Sequence, residues 1–226
     1  MISALLDFIS PRGCRMCGNR LALTENEICT VCNWQLPRTD HPTTPYDNPM
    51  ARLFWGRFPI EKAAAWMYYQ PSNPQCKLVY DIKYYGQDEL AFYLGQLVAR
   101  EFQAHGFFDD IDMIVPMPLT FLRRLKRGYN QAERIARGVS DVTGIPVAKP
   151  VKRVKFVNSQ TRLSSFERAE NVKDAFRLKA PEALNGKHIL IVDDVVTTGA
   201  TVSSCAMELC KAGNMKVSIL SLGFTK

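Results

Sequence analysis

Two adjacent carboxylates, Asp193 and Asp194, are followed at once by Val195-Val196-Thr197-Thr198-Gly199-Ala200-Thr201. Paired acids can accept hydrogen bonds from vicinal sugar hydroxyls, or hold a Mg²⁺ ion directly or through water. The small residues behind them let backbone N–H groups close around a phosphate, with Thr197, Thr198 and Thr201 adding hydroxyl donors. Before the pair, His188–Val192 is a continuous apolar run, as expected of a strand buried on both faces of a parallel sheet. After it, a helix expected from Thr201 to Ala212 would turn its positive end toward the anion. Ligands in such sheets sit beyond the carboxyl ends of the strands, so His188–Thr201 reads as a strand feeding a sugar-phosphate loop. Receiver domains and nucleotide triphosphatases also carry Asp pairs at strand ends. Neither predicts TTGAT after the pair, and the chain contains no GxxxxGK[ST]. A merely solvated strand–helix turn leaves two acids and three threonines without a use.

The second constellation is at the other end of the chain. Cys14-x₂-Cys17 and Cys29-x₂-Cys32, eleven residues apart, offer four thiolates on two knuckles. That spacing suits a tetrahedral Zn²⁺ site, and four cysteines leave no open position, so the role is structural. A redox dithiol would use one CxxC at a helix start, not two matched ones. Cys76, Cys205 and Cys210 lie apart and read as ordinary buried thiols. The three histidines are scattered and receive no role. An odd number of cysteines, seven, without a secretory signal favours a reducing compartment, the cytoplasm. No apolar run approaches the roughly 20 residues of a membrane helix, so no span is expected.

Three regions must position these groups. Residues 1–38 carry the four clustered cysteines and form the expected zinc finger. Residues 39–59 form a Pro-rich linker, with Pro42, Pro45, Pro49 and Pro59 expected to block helix and ladder alike. From residue 60 to 226, strand-like and helix-like runs alternate. Strands are predicted at Ala63–Tyr69, Asp112–Val115, His188–Val192 and Lys216–Leu222. Helices are predicted at Gln75–Tyr85, Glu89–Phe102, Gln131–Val142 and Thr201–Ala212, the last closed by Gly213. This order implies an α/β domain with an open parallel sheet.

VDDVVTTGAT resembles the phosphoribosyl pyrophosphate (PRPP) loop of type I phosphoribosyltransferases, and the whole chain resembles the ComF family of competence and DNA-utilisation proteins. The likeness rests on the two CxxC pairs, Lys83-Tyr84-Tyr85-Gly86, Pro116-Met117-Pro118, Arg127-Gly128-Tyr129-Asn130-Gln131, the Gln160–Phe176 segment and the loop itself. It implies a type I phosphoribosyltransferase-like fold behind a four-cysteine zinc finger. It also implies that Asp193 and Asp194 hold the ribose hydroxyls and the Mg²⁺ of PRPP, and that Val196–Thr201 hold the 5′-phosphate. Arg127-Gly128 stands where the superfamily places its pyrophosphate loop; a guanidinium forks onto phosphate oxygens and glycine lets backbone approach. Gln160, Arg168 and Asn171 fall where the superfamily has a mobile loop that closes over diphosphate, although Ser164-Ser165-Phe166-Glu167 also reads as a capping box. No residue is assigned as catalytic.

Between Val115 and Ala180 stand fifteen Lys and Arg against five Asp and Glu, an excess larger than the +7 of the whole chain. Arg123, Arg124, Lys126, Lys152, Arg153 and Lys155, with Phe121, Tyr129, Phe156 and Phe166 interleaved, suit single-stranded nucleic acid. A generally basic, solvated surface is the plain alternative. Three functions follow: a PRPP- and DNA-binding protein acting in uptake or processing of DNA, with a competence or DNA-processing protein as partner; a phosphoribosyltransferase of base salvage or modification; or a PRPP sensor without catalysis that recruits DNA-handling partners through its zinc module. The sequence ends soon after its last strand, so any cover over an acceptor base is expected from the zinc module and the Phe54–Gly86 stretch. Loss of zinc is expected to unfold residues 1–38 and to leave PRPP binding largely intact.

Overall fold

The computed structural model describes residues 11–71, 73–154, 175–179 and 181–225. Four strands, β1 (Ile60–Tyr68), β2 (Met113–Pro116), β5 (His188–Val196) and β6 (Lys216–Phe224), form one sheet in the order β1-β6-β5-β2. All three pairings are parallel. A separate antiparallel ribbon joins β3 (Val151–Arg153) to β4 (Phe176–Leu178). The helices are α1 (Thr30–Trp34), α2 (Pro49–Arg52), α3 (Lys77–Tyr84), α4 (Asp88–Gln103), α5 (Phe121–Arg127), α6 (Gln131–Thr143) and α7 (Ala200–Cys210).

The period of two along β5 builds two apolar layers. Leu190 and Val192 join one core with α3, α4 and α6; Ile189 and Ile191 join the other with α7 and the ribbon. The chain leaving β2 therefore packs on one face and the chain leaving β5 on the other. Between those neighbouring strands the connections diverge, which opens a crevice at the carboxyl edge. Helices α4 and α6 cross with their backbones nearly in contact, because glycines meet there. A Cβ on Gly138 would stand 2.1 Å from the Phe92 carbonyl oxygen, and one on Gly95 would stand 2.3 Å from that of Ile135. Gly138→Ala is accordingly expected to destabilise the fold by about 2–3 kcal/mol through overpacking. A thermal melt checks this; an unchanged midpoint contradicts the close crossing.

The α/β architecture expected from the sequence is the one observed, with informative differences. The strand read as ending at Val192 runs on to Val196, carrying Asp193 and Asp194 inside it, because β6 pairs with it that far. The helix read at Gln75–Tyr85 begins as a 3₁₀ turn, Pro74–Cys76, before α3. The last helix caps at Lys211 and not at Gly213. The arginine-rich run after Pro118, where the resemblance places a pyrophosphate loop, is helix α5. Thr120 caps it and Gly128, at φ 78°, ends it.

The proline-rich stretch 39–59 does not block helix formation. Pro49 occupies the first turn of α2, where its missing N–H costs nothing, and Asn48 Oδ1 accepts from the N–H groups of Met50 and Ala51. Its side chains are core: His41, Asn48, Met50, Ala51 and Phe54 are buried. The cysteine-bearing segment is also packed against the sheet domain. Cys14, Leu21, Ile28, Cys32 and Leu36 share one apolar core with Trp66, Met67, Leu78 and Leu90. Arg38 lies 3.9 Å from the Trp66 ring centroid and pairs with Glu101 at 2.7 Å.

Candidate functional site

Strand β2 pairs with β5 only as far as Pro116 opposite Val192. Beyond that point β5 keeps β6 on one side and has open space on the other, and there it presents its two acids. Asp194 N–H donates to Asp193 Oδ1 at 2.9 Å, and Val195 N–H donates to Asp194 Oδ1 at 2.6 Å. Each carboxylate thus keeps an oxygen for a ligand. Burial, then the charge of Asp194, raises the Asp193 carboxyl to about 7. Lys83, from α3 on the opposite wall, approaches Asp194 Oδ1 at 3.2 Å.

The chain then turns through Thr197-Thr198-Gly199 into α7, whose first N–H groups have no partners within the helix. Gly199 needs its missing side chain twice over: φ is 70°, and a Cβ would lie 2.7 Å from Phe54 Cε1. Phe54, fully buried, is the floor of this loop. It comes from the stretch read as a linker. Only tertiary packing reveals that role, since one aromatic among prolines carries no periodic signal.

These pieces enclose a cavity of ≈ 200 Å³ that all nine residues from Asp193 to Thr201 line. Lys83, Arg123, Arg127 and Arg153 add four cations to its wall. Arg127 donates to Gln131 Oε1 at 2.9 Å, which aims its guanidinium along the cavity rim. Burial, then the nearby Arg123, lowers the pKa of Arg153. Among the described residues, six buried side-chain polar atoms lack a hydrogen-bond partner. Three of them, Asn130 Oδ1, Gln131 Nε2 and Arg153 Nε, belong to residues lining this cavity. Unpaired buried polar atoms are costly, and half of those found among the described residues gather in the wall of this one cavity. Two carboxylate oxygens beside a phosphate-sized anion cradle are the donor set a Mg²⁺–phosphate ligand requires.

The sequence-named residues divide as follows. Asp193–Thr201 and Arg127 line one cavity, and Gly128 adjoins it as the left-handed cap of α5. Arg123 and Arg153, read as nucleic-acid residues, face the same cavity. Arg124, Lys152 and Arg153 border a neighbouring hollow of ≈ 260 Å³ that also contains Phe121. Lys126 is exposed on α5. Tyr129 is no stacking ring: it is half-buried, and its hydroxyl donates to the Ile82 carbonyl at 2.5 Å. Lys155, Gln160, Arg168 and Asn171, with Phe156, Phe166 and the Ser164–Glu167 box, lie outside the described residues. Sequence reasoning misses Asn130 and Gln131 as site residues. A signal exists, since Gln131 shares its helix face with Ile135, Gly138 and Val139, and a polar side chain on an apolar stripe asks for a partner.

At the far end, the sulfurs of Cys14, Cys17, Cys29 and Cys32 all lie within 4.8 Å of one another, with Cys17 and Cys29 at 3.9 Å. A tetrahedral Zn²⁺ with sulfur at about 2.3 Å separates its ligands by about 3.8 Å. Cys29 N–H points at Cys14 Sγ (3.3 Å) and Cys32 N–H at Cys29 Sγ (3.4 Å), so backbone donors already face the thiolates. The four cysteines therefore fit a closed structural metal site.

The family model described as "Phosphoribosyl transferase domain" matches residues 88–222, which run from α4 into β6 and include every residue lining the carboxyl-edge cavity except Lys83. The DNA utilization protein YhgH of Salmonella typhimurium is 30% identical over 94% of this chain and 96% of its own. That of Escherichia coli K12 is 31% identical over the same shares. The chain belongs to the ComF family. Competence protein F of Haemophilus influenzae, 35% identical over 113 residues, covers 49% of each chain. In this ComF protein the phosphoribosyltransferase-type sheet and the four-cysteine cluster expected from sequence are both present. No helix among the described residues is long and apolar enough to cross a membrane.

Proposed function

We propose that this ComF protein binds PRPP with Mg²⁺ at the carboxyl-edge cavity, binds single-stranded DNA beside it, and acts in DNA uptake, natural transformation or the use of external DNA. The observation that carries the PRPP reading is the convergence of paired acids, phosphate loop, four cations and three unsatisfied polar atoms on one cavity. In this reading Asp193 and Asp194 take the ribose hydroxyls and the metal, and residues 196–201 take the 5′-phosphate. Arg127, Arg123 and Arg153 face the diphosphate. Bound Mg²⁺ would neutralise charge on that diphosphate. Zn²⁺ on the four cysteines is structural. The names of the relatives support the DNA role, as does α5, where Arg124 and Lys126 sit beside the exposed Phe121. Thiols at metal spacing support a reducing compartment, the cytoplasm.

The test is a paired titration with PRPP–Mg²⁺ and a short oligonucleotide, each in the presence of the other. Both are expected to bind, and coupling between them would tie the two surfaces to one mechanism. Arg124→Ala/Lys126→Ala should lower the salt slope of oligonucleotide binding by about one for each phosphate no longer neutralised, with PRPP affinity unchanged. Absence of oligonucleotide binding at low salt would reject the DNA half of the reading.

A further inference from the structure

Helix α3 and the residue that caps it carry three tyrosines that the phosphate site does not use. Tyr80, Tyr84 and Tyr85 are 48%, 60% and 64% exposed. Tyr80 and Tyr84, one turn apart, have ring centroids 4.6 Å apart; Tyr80 and Tyr85 are at 5.8 Å. Three large aromatic side chains left in water on one short helix and clustered together form an apolar platform. Below it the helix is held rigidly. Leu78, Val79 and Ile82 are fully buried, and the Tyr129 hydroxyl binds the Ile82 carbonyl.

The platform is continuous with the phosphate cavity. The Arg127 guanidinium, which lines that cavity, stands 5.7 Å from the Tyr84 ring centroid. On the other side, Tyr80, Lys83 and Tyr84 border a second hollow of ≈ 510 Å³, floored in part by Tyr69 and Pro74. Lys83 lines both hollows, so the two meet across one side chain. The cations beside the rings are Arg127 and Lys83, both at the cavity, with Lys83 also facing Asp194 at 3.2 Å; Lys77 and Asp81 pair with each other at 2.6 Å and leave no net charge.

Flat apolar faces beside fixed cations are complementary to a polyanion that carries planar uncharged rings. We propose that Tyr80, Tyr84 and Tyr85 form a base-stacking platform for unpaired nucleobases of single-stranded DNA, whose backbone runs past Lys83 and Arg127 at the mouth of the PRPP site. This rests on the DNA-binding reading above and gives it a location on α3, in addition to the basic helix α5. The sequence by itself offers the Phe54–Gly86 stretch, which contains these tyrosines, as cover over an acceptor base without identifying which residues make the contact.

The experiment compares short oligo(dT) with an abasic strand of equal length and charge, using the full-length protein. Wild type is expected to prefer oligo(dT). Tyr80→Ala/Tyr84→Ala/Tyr85→Ala should weaken oligo(dT) binding about tenfold or more. Its abasic-strand affinity and its salt slope should stay as in wild type, because no cation is removed. The corresponding triple Phe variant should bind like wild type, since stacking needs the ring and not the hydroxyl. Tyr80→Ala/Tyr85→Ala should retain PRPP–Mg²⁺ affinity, which shows the fold intact. Equal oligo(dT) binding by wild type and the triple Ala variant overturns the platform. So does equal binding of both strands by wild type, which would leave DNA binding standing as purely electrostatic. Failure of wild type to bind either strand at low salt removes the DNA reading itself and the platform with it.

Discussion

Asp193→Asn/Asp194→Asn will reduce PRPP–Mg²⁺ affinity by at least about a hundredfold, through removal of two charged hydrogen-bonding or metal-ligating groups. Both side chains stand at the strand end where β2 has stopped and β5 is open on one flank. Each spends one oxygen on a neighbouring N–H and keeps the other for a ligand. Asparagine preserves shape and that local hydrogen bond but not the charge. The same variant leaves Lys83, Arg123, Arg127 and Arg153 without a counter-charge in the cavity. Inorganic diphosphate without metal should therefore bind it as well as wild type or better. Opposite responses to the two ligands, read by calorimetric titration, separate a ribose–metal role from a general anion role. Retained PRPP–Mg²⁺ affinity would remove the acids from the site.

The double variant also has a stability signature. Burial raises the Asp193 carboxyl from 3.8 to about 7, so the folded state holds a proton that the unfolded chain has released. Stability of the free protein then falls as pH climbs through that window. Asp193→Asn should flatten this dependence and raise the melting midpoint at and above neutral pH. A variant with the wild-type pH profile would show that the carboxyl is already ionised in the fold.

Removing zinc, by chelation or by Cys14→Ser/Cys32→Ser, is expected to lower the melting midpoint of the whole molecule, on the order of 10 °C. Sequence organisation alone predicts a narrower outcome, unfolding confined to residues 1–38. The packing changes that expectation. Cys14, Leu21, Ile28, Cys32 and Leu36 share a core with the sheet and α3–α4, and Arg38 stacks on Trp66 while pairing with Glu101. Releasing the segment would uncover apolar surface on the main domain, with each large side chain so exposed costing about 1.5–3 kcal/mol. A single cooperative transition at lower temperature is the expected calorimetric trace. Two separate transitions, the upper one at the wild-type midpoint, would show an independent module. Below the new midpoint PRPP affinity should be nearly unaffected, because no residue of 11–38 lines the cavity.

Local chemistry is legible without coordinates. Adjacent acids followed by TTGAT read as a sugar-phosphate loop because every group that reading invokes comes from one short stretch of chain, and the fold brings all nine residues from Asp193 to Thr201 to one cavity. The cysteine site is legible for a related reason, since two knuckles turn four sulfurs inward by their own geometry. Strand and helix positions follow from apolar periodicity, with errors where cross-strand pairing decides the end, as in the extension of β5 to Val196. The basic excess between Val115 and Ala180 is also legible, but counting charges merges two surfaces. Arg123 and Arg153 turn into the carboxyl-edge cavity, whereas Arg124 and Lys126 stay outside it on α5.

The strand and turn from His188 to Thr201 can thus be read from their own residues, since an apolar run, two acids and a small-residue turn into a helix need no distant partner to be recognised. Only the tertiary structure decided what surrounds it. Phe54 became the floor beneath Gly199, Lys83 the counter-ion of Asp194, and Asn130, Gln131 and Arg153 the unsatisfied polar wall. Those groups are separated from the loop by up to about 140 residues of chain. Asn130, Gln131 and Arg153 meet it because β2 and β5 are neighbours whose connections leave on opposite faces of the sheet, while Phe54 and Lys83 arrive from the chain on either side of β1, relations that sequence spacing does not encode.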